Sequence, residues 1–157
     1  LLDHSIDTLY KSKLLSYYRG SPGDTTMVHV TPAFFNVETK KEVKTKLPTG
    51  THINSVAIEW MEKSGVLLAE YSERGYKNEV VKLVDLNTRI EKTLIEETSE
   101  TNIDNFWFRK FDNKQKIIFL SERSGWRQLY IIDLKTNIMF PIHWGTFNLF
   151  ILTQIIF

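Results

Sequence analysis

The chain has 157 residues, of which 42% are hydrophobic and 25% are charged, and this balance excludes a disordered chain and predicts a globular domain. Its 20 basic and 19 acidic residues leave a net charge of +1, so no basic excess is available for a nucleic-acid backbone and we expect no nucleic-acid partner. The absence of cysteine excludes disulfides, zinc–cysteine sites and thiol nucleophiles.

Strand signals recur along the chain and are separated by turn residues. The predicted strands cover residues 14–18, 27–35, 43–46, 55–59, 66–71, 79–84, 91–94, 106–108, 116–120, 128–132 and 139–142. They alternate apolar and polar residues or run apolar over short stretches, whereas helices would show a period of about 3.6 residues. Clusters of Gly, Pro, Asn and Asp between them predict turns. The sequence therefore predicts an all-β fold.

Two segments of the chain are similar to each other. Each begins with Ser-Glu-Arg, passes through a glycine, an aromatic and a basic residue into a strand, and ends with Asp-Leu-x-Thr; the copies cover 72–88 and 121–136. A weaker copy ends at Asn36, which replaces the aspartate. Asp85 and Asp133 are 48 residues apart. A strand repeat of this length is typical of β-propeller blades, each an antiparallel sheet of about four strands.

The length of the chain corresponds to about three such blades, placed at 10–50, 51–100 and 101–145 within a partial propeller over 1–147. Propellers usually close with about four to eight blades, so we expect an incomplete propeller that is part of a longer protein. The apolar tail 148–157 is interpreted as the start of a next blade or as an altered end. A complete small β-protein that covers its open faces by oligomerisation is a weaker alternative.

The repeated unit contains the candidate functional residues. Arg74 and Arg123 could face a substrate carboxylate, but because the unit repeats we interpret it as structural. Its glycine would occupy a turn with positive φ, and its aromatic residue would pack on the neighbouring blade. Asp85 and Asp133 are interpreted as acceptors for backbone N–H groups of a turn, without a catalytic role.

An acidic run begins at Glu96 and Glu97 and ends at Glu100. It could bind the amine of a substrate, but a solvated loop between blades is the preferred interpretation.

The sequence contains no motif that identifies an active site. The histidines lack the spacing of a helical zinc site and have no adjacent acidic pair, so we expect no metal and no cofactor; they are His4, His29, His52 and His143. A Gly-x-Ser-x-Gly elbow, a P-loop and a dinucleotide fingerprint are all absent. We therefore expect no catalytic residue in this chain and assign no substrate-binding residue.

Residues 119–130 read Phe-Leu-Ser-Glu-Arg-Ser-Gly-Trp-Arg-Gln-Leu-Tyr and are followed by Asp-Leu-Lys-Thr at 133–136. This blade sequence resembles the N-terminal propeller of dipeptidyl-peptidase IV-like serine peptidases, which belong to the prolyl oligopeptidase class. The turn at 17–24 and the segment 142–147 extend the resemblance over about residues 14–147. His143, Trp144 and the tail 148–157 depart from the family pattern.

The resemblance implies a non-catalytic propeller portion of a serine exopeptidase, which gates and selects peptide substrates for a C-terminal α/β-hydrolase domain that this chain lacks. It also implies a periplasmic, secreted or membrane-anchored protein and allows a homodimer of the parent; no signal or transmembrane segment is visible in the sequence. The family's pair of substrate-binding glutamates lies upstream of the matched region and is not transferred to Glu96 and Glu97. The alternative that stays open is a non-enzymatic propeller that binds proteins or ligands.

Overall fold

The computed structural model of the protein describes residues 2–3, 13–14, 23–51, 54–104, 106–111 and 115–142. Within these ranges the chain forms β-strands and turns without a helix, which confirms the predicted all-β fold. The strands are β1 (Leu2–Asp3), β2 (Lys13–Leu14), β3 (His29–Val30), β4 (Phe34–Phe35), β5 (Glu42–Val43), β6 (Gly50–Thr51), β7 (Ala57–Trp60), β8 (Val66–Ser72), β9 (Asn78–Asp85), β10 (Ile90–Thr98), β11 (Phe108–Phe111), β12 (Lys116–Ser121), β13 (Gln128–Asp133) and β14 (Met139–Pro141).

Two four-stranded antiparallel sheets follow one another along the chain. In the first, which we call the second blade, β7, β8, β9 and β10 each pair with the next strand in sequence. In the other, the third blade, β11 to β14 are ordered in the same way. This up-and-down order is the arrangement of propeller blades. The outer strand β10 extends to Thr98, beyond the predicted end at Leu94, because a bulge between Thr93 and Ile95 lets its pairing with β9 continue.

The first part of the chain forms smaller sheets. β3 pairs with β6 and β4 pairs with β5, each over two residues. The sequence predicted one strand over 27–35, but the structure has two short strands on either side of Pro32, which has no N–H group to donate to a ladder. The predicted strand over 43–46 is shorter than expected, since β5 ends at Val43. Apart from Leu14, the predicted strand over 14–18 lies outside the described residues.

The second and third blades pack face to face. Leu68, Val81 and Ile95 from the second blade meet Phe119 and Ile132 from the third, and each of these side chains is at most 1% exposed. Burying an apolar side chain of this size stabilises a fold by about 1.5–3 kcal/mol. This apolar contact therefore holds the second and third blades against each other.

The opposite face of the second blade is also covered. Leu67, Ala69 and Val84 form a second apolar cluster with Phe34 and Leu47 from the first part of the chain. Adjacent residues of a strand point to opposite faces, which is why the run that begins at Val66 contributes to both clusters. The described sheets stack in sequence without closing into a ring, as an incomplete β-propeller does. Within the described residues, no helix could cross a membrane.

Candidate functional site

A polar cluster crosses the boundary between the second and third blades. It consists of Glu97, Ser121 and Arg123, and we call it the interblade latch. Glu97 lies near the end of the outer strand β10, Ser121 is the last residue of β12, and Arg123 lies in the turn that leads to β13. Two adjacent blades thus supply the latch at the same end of their sheets.

Each carboxylate oxygen of Glu97 accepts a hydrogen bond from the third blade. The hydroxyl of Ser121 donates to Oε1 at 2.8 Å, and Nη2 of Arg123 donates to Oε2 at 2.9 Å. Nε of Arg123 also donates to the Ser121 hydroxyl at 2.8 Å, so the three side chains form a closed network. Glu97 is only 6% exposed, and a buried carboxylate requires such partners because it has lost its hydration.

Aromatic rings hold the guanidinium of Arg123 in place. Its central carbon lies 5.2 Å from the ring centroid of Phe119 and 5.3 Å from that of Tyr130. These two rings are themselves in contact, with centroids 5.7 Å apart. A cation over an aromatic face is stabilised by about 0.5–2 kcal/mol. The planar guanidinium can stack on the rings and donate to Glu97 at the same time, which the ammonium of a lysine cannot do.

The serine and arginine of the earlier copy of the repeated unit also contact preceding residues, but without a carboxylate. Ser72 accepts a hydrogen bond from Nδ2 of Asn54 at 3.0 Å, and Nη1 of Arg74 donates to the carbonyl of Asp24 at 2.8 Å. Asn54 and Asp24 both precede the second blade in the chain. The serine and arginine of both copies therefore bind residues that lie before their own blade, which agrees with the structural interpretation of the unit.

Two details of the repeated unit test the expectations for its turn. Gly75 and Gly125 have φ values of 104° and 87°, as predicted for glycines in these turns. Tyr76 and Trp126 are each 43% exposed, and their packing on a neighbouring blade stays a prediction.

The interpretation of the acidic run as a solvated loop is wrong for its first part. Glu96 and Glu97 lie in β10, which ends at Thr98. Alternation along the strand leaves Glu96 exposed and turns Glu97 toward the third blade. No local pattern indicates this burial, because the cation that compensates Glu97 lies 26 residues away in another blade.

The predicted turn role of the repeated aspartates is confirmed. Oδ1 of Asp85 accepts from the backbone N–H groups of Asn87 and Thr88, and Oδ1 of Asp133 accepts from those of Lys135 and Thr136. Bonds that favour the charged carboxylate lower the pKa of both residues. For Asp85 the largest cause is the bond from Lys63, and for Asp133 it is the bond from the backbone of Thr136.

A polar cleft of about 270 Å³ adjoins the latch at the end of the two blades. Its charged lining residues are Glu97, Asp104, Glu122 and Arg127. Nε of Arg127 donates to Oε1 of Glu122 at 2.9 Å, and Nη2 donates to the carbonyl of Asp104 at 3.3 Å. The cleft offers hydrogen-bond acceptors and one oriented guanidinium to a polar ligand.

A comparison with protein families supplies the observation that decides the identity of this fold. The family model described as "Dipeptidyl peptidase IV (DPP IV) N-terminal region" matches residues 12–154. The chain belongs to this family. The resemblance inferred from the repeat is thereby confirmed.

Among solved structures, the chain is similar to the crystal structure of Porphyromonas gingivalis dipeptidyl peptidase 4. The TM-score is 0.57 at 17% sequence identity, and the match covers 72% of this chain and 16% of that chain. At this identity the likeness shows the fold. The chain thus spans 16% of the length of the solved peptidase. A comparison with curated proteins gave no match.

In the part of the chain that the structure describes, no group of three or more His, Asp or Glu side chains is arranged to hold a metal ion. His29 lies in β3. The other three histidines, His4, His52 and His143, lie outside the described residues.

A second ionic contact between the blades was missed from the sequence. Nζ of Lys110 on β11 lies 3.5 Å from Oε1 of Glu59 on β7 and donates to the carbonyl of Trp60 at 2.5 Å. β7 and β11 are the first strands of successive blades. The side chain of Lys110 is only 15% exposed. Two adjacent basic residues between Phe108 and Phe111 were the available signal, since neighbours on a strand point to opposite faces and one of the two must point inward.

Proposed function

We propose that the chain is the non-catalytic propeller portion of a dipeptidyl-peptidase IV-like serine exopeptidase, in which it gates and selects peptide substrates. The observation that carries this proposal is the family match over residues 12–154. Hydrolysis of the peptide bond is assigned to a C-terminal α/β-hydrolase domain with its serine, aspartate and histidine.

The packing of the blades supports a gating role. A wall that admits some peptides and excludes folded proteins must resist being pushed apart, and the second blade is packed on both faces. The interblade latch and the pair between Lys110 and Glu59 add ionic contacts at two places along the same boundary. The cleft lined by Asp104, Glu122 and Arg127 provides polar groups at one end of the blades, where a peptide could be contacted.

The cellular location and the partners of the longer peptidase are part of the same proposal. A periplasmic, secreted or membrane-anchored location follows from the resemblance to exported peptidases. A homodimer of the parent and a peptide substrate are the partners that this resemblance suggests.

The first test asks whether this chain itself hydrolyses peptides, or whether hydrolysis requires the rest of the longer peptidase. The purified chain is incubated with chromogenic Gly-Pro and Ala-Pro dipeptide substrates, and we expect no hydrolysis above the buffer rate. Hydrolysis that copurifies with the chain would contradict a non-catalytic role.

The second test uses the coding sequence that follows codon 157. We expect a Gly-x-Ser-x-Gly elbow, followed in order by the aspartate and the histidine of an α/β-hydrolase. Further strand repeats that end without this elbow would favour the alternative, a non-enzymatic propeller that binds proteins or ligands.

A further inference from the structure

One face of the second blade carries a carboxylate on each of its four strands. These residues are Glu59 on β7, Glu70 on β8, Glu79 on β9 and Glu97 on β10. In the sheet register Glu79 lies directly opposite Glu97. Glu79 also pairs with Ser72, the residue two positions beyond Glu70 on β8, so Glu70 and Glu79 are diagonal neighbours.

This row lies at the joint between the second and third blades. Glu70, Glu79 and Glu97 are each two residues away from a core residue, namely Leu68, Val81 and Ile95 respectively. Residues two apart on a strand share a face, so the carboxylates lie on the face that packs against the third blade. Four acidic groups on one packed face repel each other unless cations compensate them.

The third blade compensates two of the four carboxylates. Lys110 lies 3.5 Å from Glu59 at the inner strand, and Arg123 lies 2.9 Å from Glu97 at the outer strand. Among the described residues, Glu70 and Glu79 have no cation within 4.0 Å. The two central carboxylates therefore lie between the ionic contacts without a counter-charge of their own.

The surroundings of the central pair favour its neutral form. Burial raises the pKa of Glu70, and the charge of Glu59 raises it further. Burial likewise raises the pKa of Glu79, with a further contribution from Glu70 that outweighs a hydrogen bond from Ser72. The other charged groups at this joint are Glu97, Lys110 and Arg123, with Asp104, Glu122 and Arg127 at the adjoining cleft and Lys92 at the far end of the same face, where it pairs with Leu83. By the strand register, Lys82, Arg109 and Lys116 lie on the opposite faces of their strands.

We propose that the joint between the second and third blades is an acid-responsive contact, which tightens when Glu70 and Glu79 are protonated and loosens when they ionise. Both groups have a folded-state pKa above the ordinary value of 4.5. The stability that they contribute is therefore fully present below pH 4.5 and is lost as the pH rises through the raised values. This proposal does not depend on peptidase activity, since it concerns the packing of two blades.

The first measurement compares equilibrium urea unfolding of the full chain at pH 4.5, the ordinary value for a glutamate, and at about pH 7.5, well above it. We expect the double variant Glu70→Gln/Glu79→Gln to have a folding equilibrium constant several-fold above that of the wild type at the higher pH and to lose most of the pH dependence. The matched control is Glu62→Gln/Glu100→Gln, which changes two exposed glutamates and should retain the wild-type profile. If the double variant does not fold, the single variant Glu79→Gln is measured instead.

The second measurement reports on the joint itself. The chain has no cysteine, so spin labels can be placed at Glu73→Cys and Ser124→Cys, two exposed turn positions on adjacent blades. We expect the distance distribution between the labels to narrow from the higher to the lower pH. In the double variant Glu70→Gln/Glu79→Gln, the distance distribution between the labels should be narrow at both pH values.

A distribution that does not change with pH would overturn the proposal. So would a pH-dependent narrowing that persists in the double variant, because the responsive groups would then lie elsewhere. Neither outcome affects the peptidase assignment, as no substrate is used.

Discussion

The guanidinium of Arg123 lies 2.9 Å from the carboxylate of Glu97, although 26 residues separate them and they belong to different blades. The rings of Phe119 and Tyr130 fix the orientation of the guanidinium, and the hydroxyl of Ser121 donates a hydrogen bond to the other carboxylate oxygen of Glu97. Glu97 is almost completely buried, whereas the Arg123 side chain retains 31% exposure. The pair thus connects two sheets through a charge that cannot return to water without separating them.

Replacing Arg123 should destabilise the chain more than replacing its repeat counterpart. Arg123→Gln leaves the buried carboxylate of Glu97 without its cation, and we expect a loss of about 2 kcal/mol in the free energy of unfolding. Arg74→Gln removes a bond to an exposed backbone carbonyl and should cost less than about 1 kcal/mol. Urea unfolding followed by tryptophan fluorescence measures both; equal losses would show that the latch adds nothing beyond an exposed bond.

Phe119 is the largest fully buried side chain at the interface between the blades. Phe119→Ala should reduce the free energy of unfolding by about 3–5 kcal/mol, because it removes a whole ring and leaves a cavity between two rigid sheets. Phe35→Ala is the matched control, since that ring is 64% exposed and should contribute little. A small effect of Phe119→Ala in calorimetry would mean that the two sheets do not pack as described.

The turn aspartates should tolerate asparagine better than alanine. Asn36 shows this directly, since its Oδ1 accepts the N–H of Thr39 at 2.7 Å in the corresponding turn of the first copy. Asp133→Asn should therefore keep the turn, whereas Asp133→Ala should destabilise it at neutral pH.

The same residue predicts a pH dependence of the opposite sign to that of Glu70 and Glu79. The pKa of Asp133 is lowered by the backbone N–H of Thr136, so the stability that it contributes is present above the ordinary value of 3.8 and is lost as the pH falls through the folded value. The difference between wild type and Asp133→Asn should consequently shrink below pH 3.8 in acid-unfolding curves. A constant difference across the acid range would exclude a role for the charge.

Two turn glycines should differ in their tolerance of alanine. Gly65 and Gly75 both have positive φ, a conformation that costs a residue with a side chain about 1–2 kcal/mol. A Cβ at Gly65 would also lie 2.5 Å from Nδ2 of Asn87, which donates to the carbonyl of Ser64. At Gly75 the space is empty. Gly65→Ala should therefore lower the melting temperature more than Gly75→Ala, and the reverse order would contradict the contact with Asn87.

Local features of this chain were predictable because each depends on residues close together in sequence. The repeat that contains Asp85 and Asp133 indicated blades, and the turn bonds of both aspartates were expected from the residues that follow them. The interruption between β3 and β4 at Pro32 was not predicted, because the surrounding apolar and small residues are typical of one continuous strand. The missing backbone N–H of a single proline was enough to divide it. The length of β10 was underestimated because the bulge after Thr93 interrupts the alternation that marks a strand.

The all-β class, the blade period and the family follow from the amino-acid sequence alone, since strand alternation and turn chemistry are properties of short segments. Which charges meet follows from the packing of the blades. Glu97 belongs to an acidic run that is typical of a solvated loop, but the third blade places Arg123 beside it, and Glu70 and Glu79 are neighbours only through the pairing of β8 with β9. The energy of a charge depends on its distance from other charges and on its access to water, and both are set by how the blades pack.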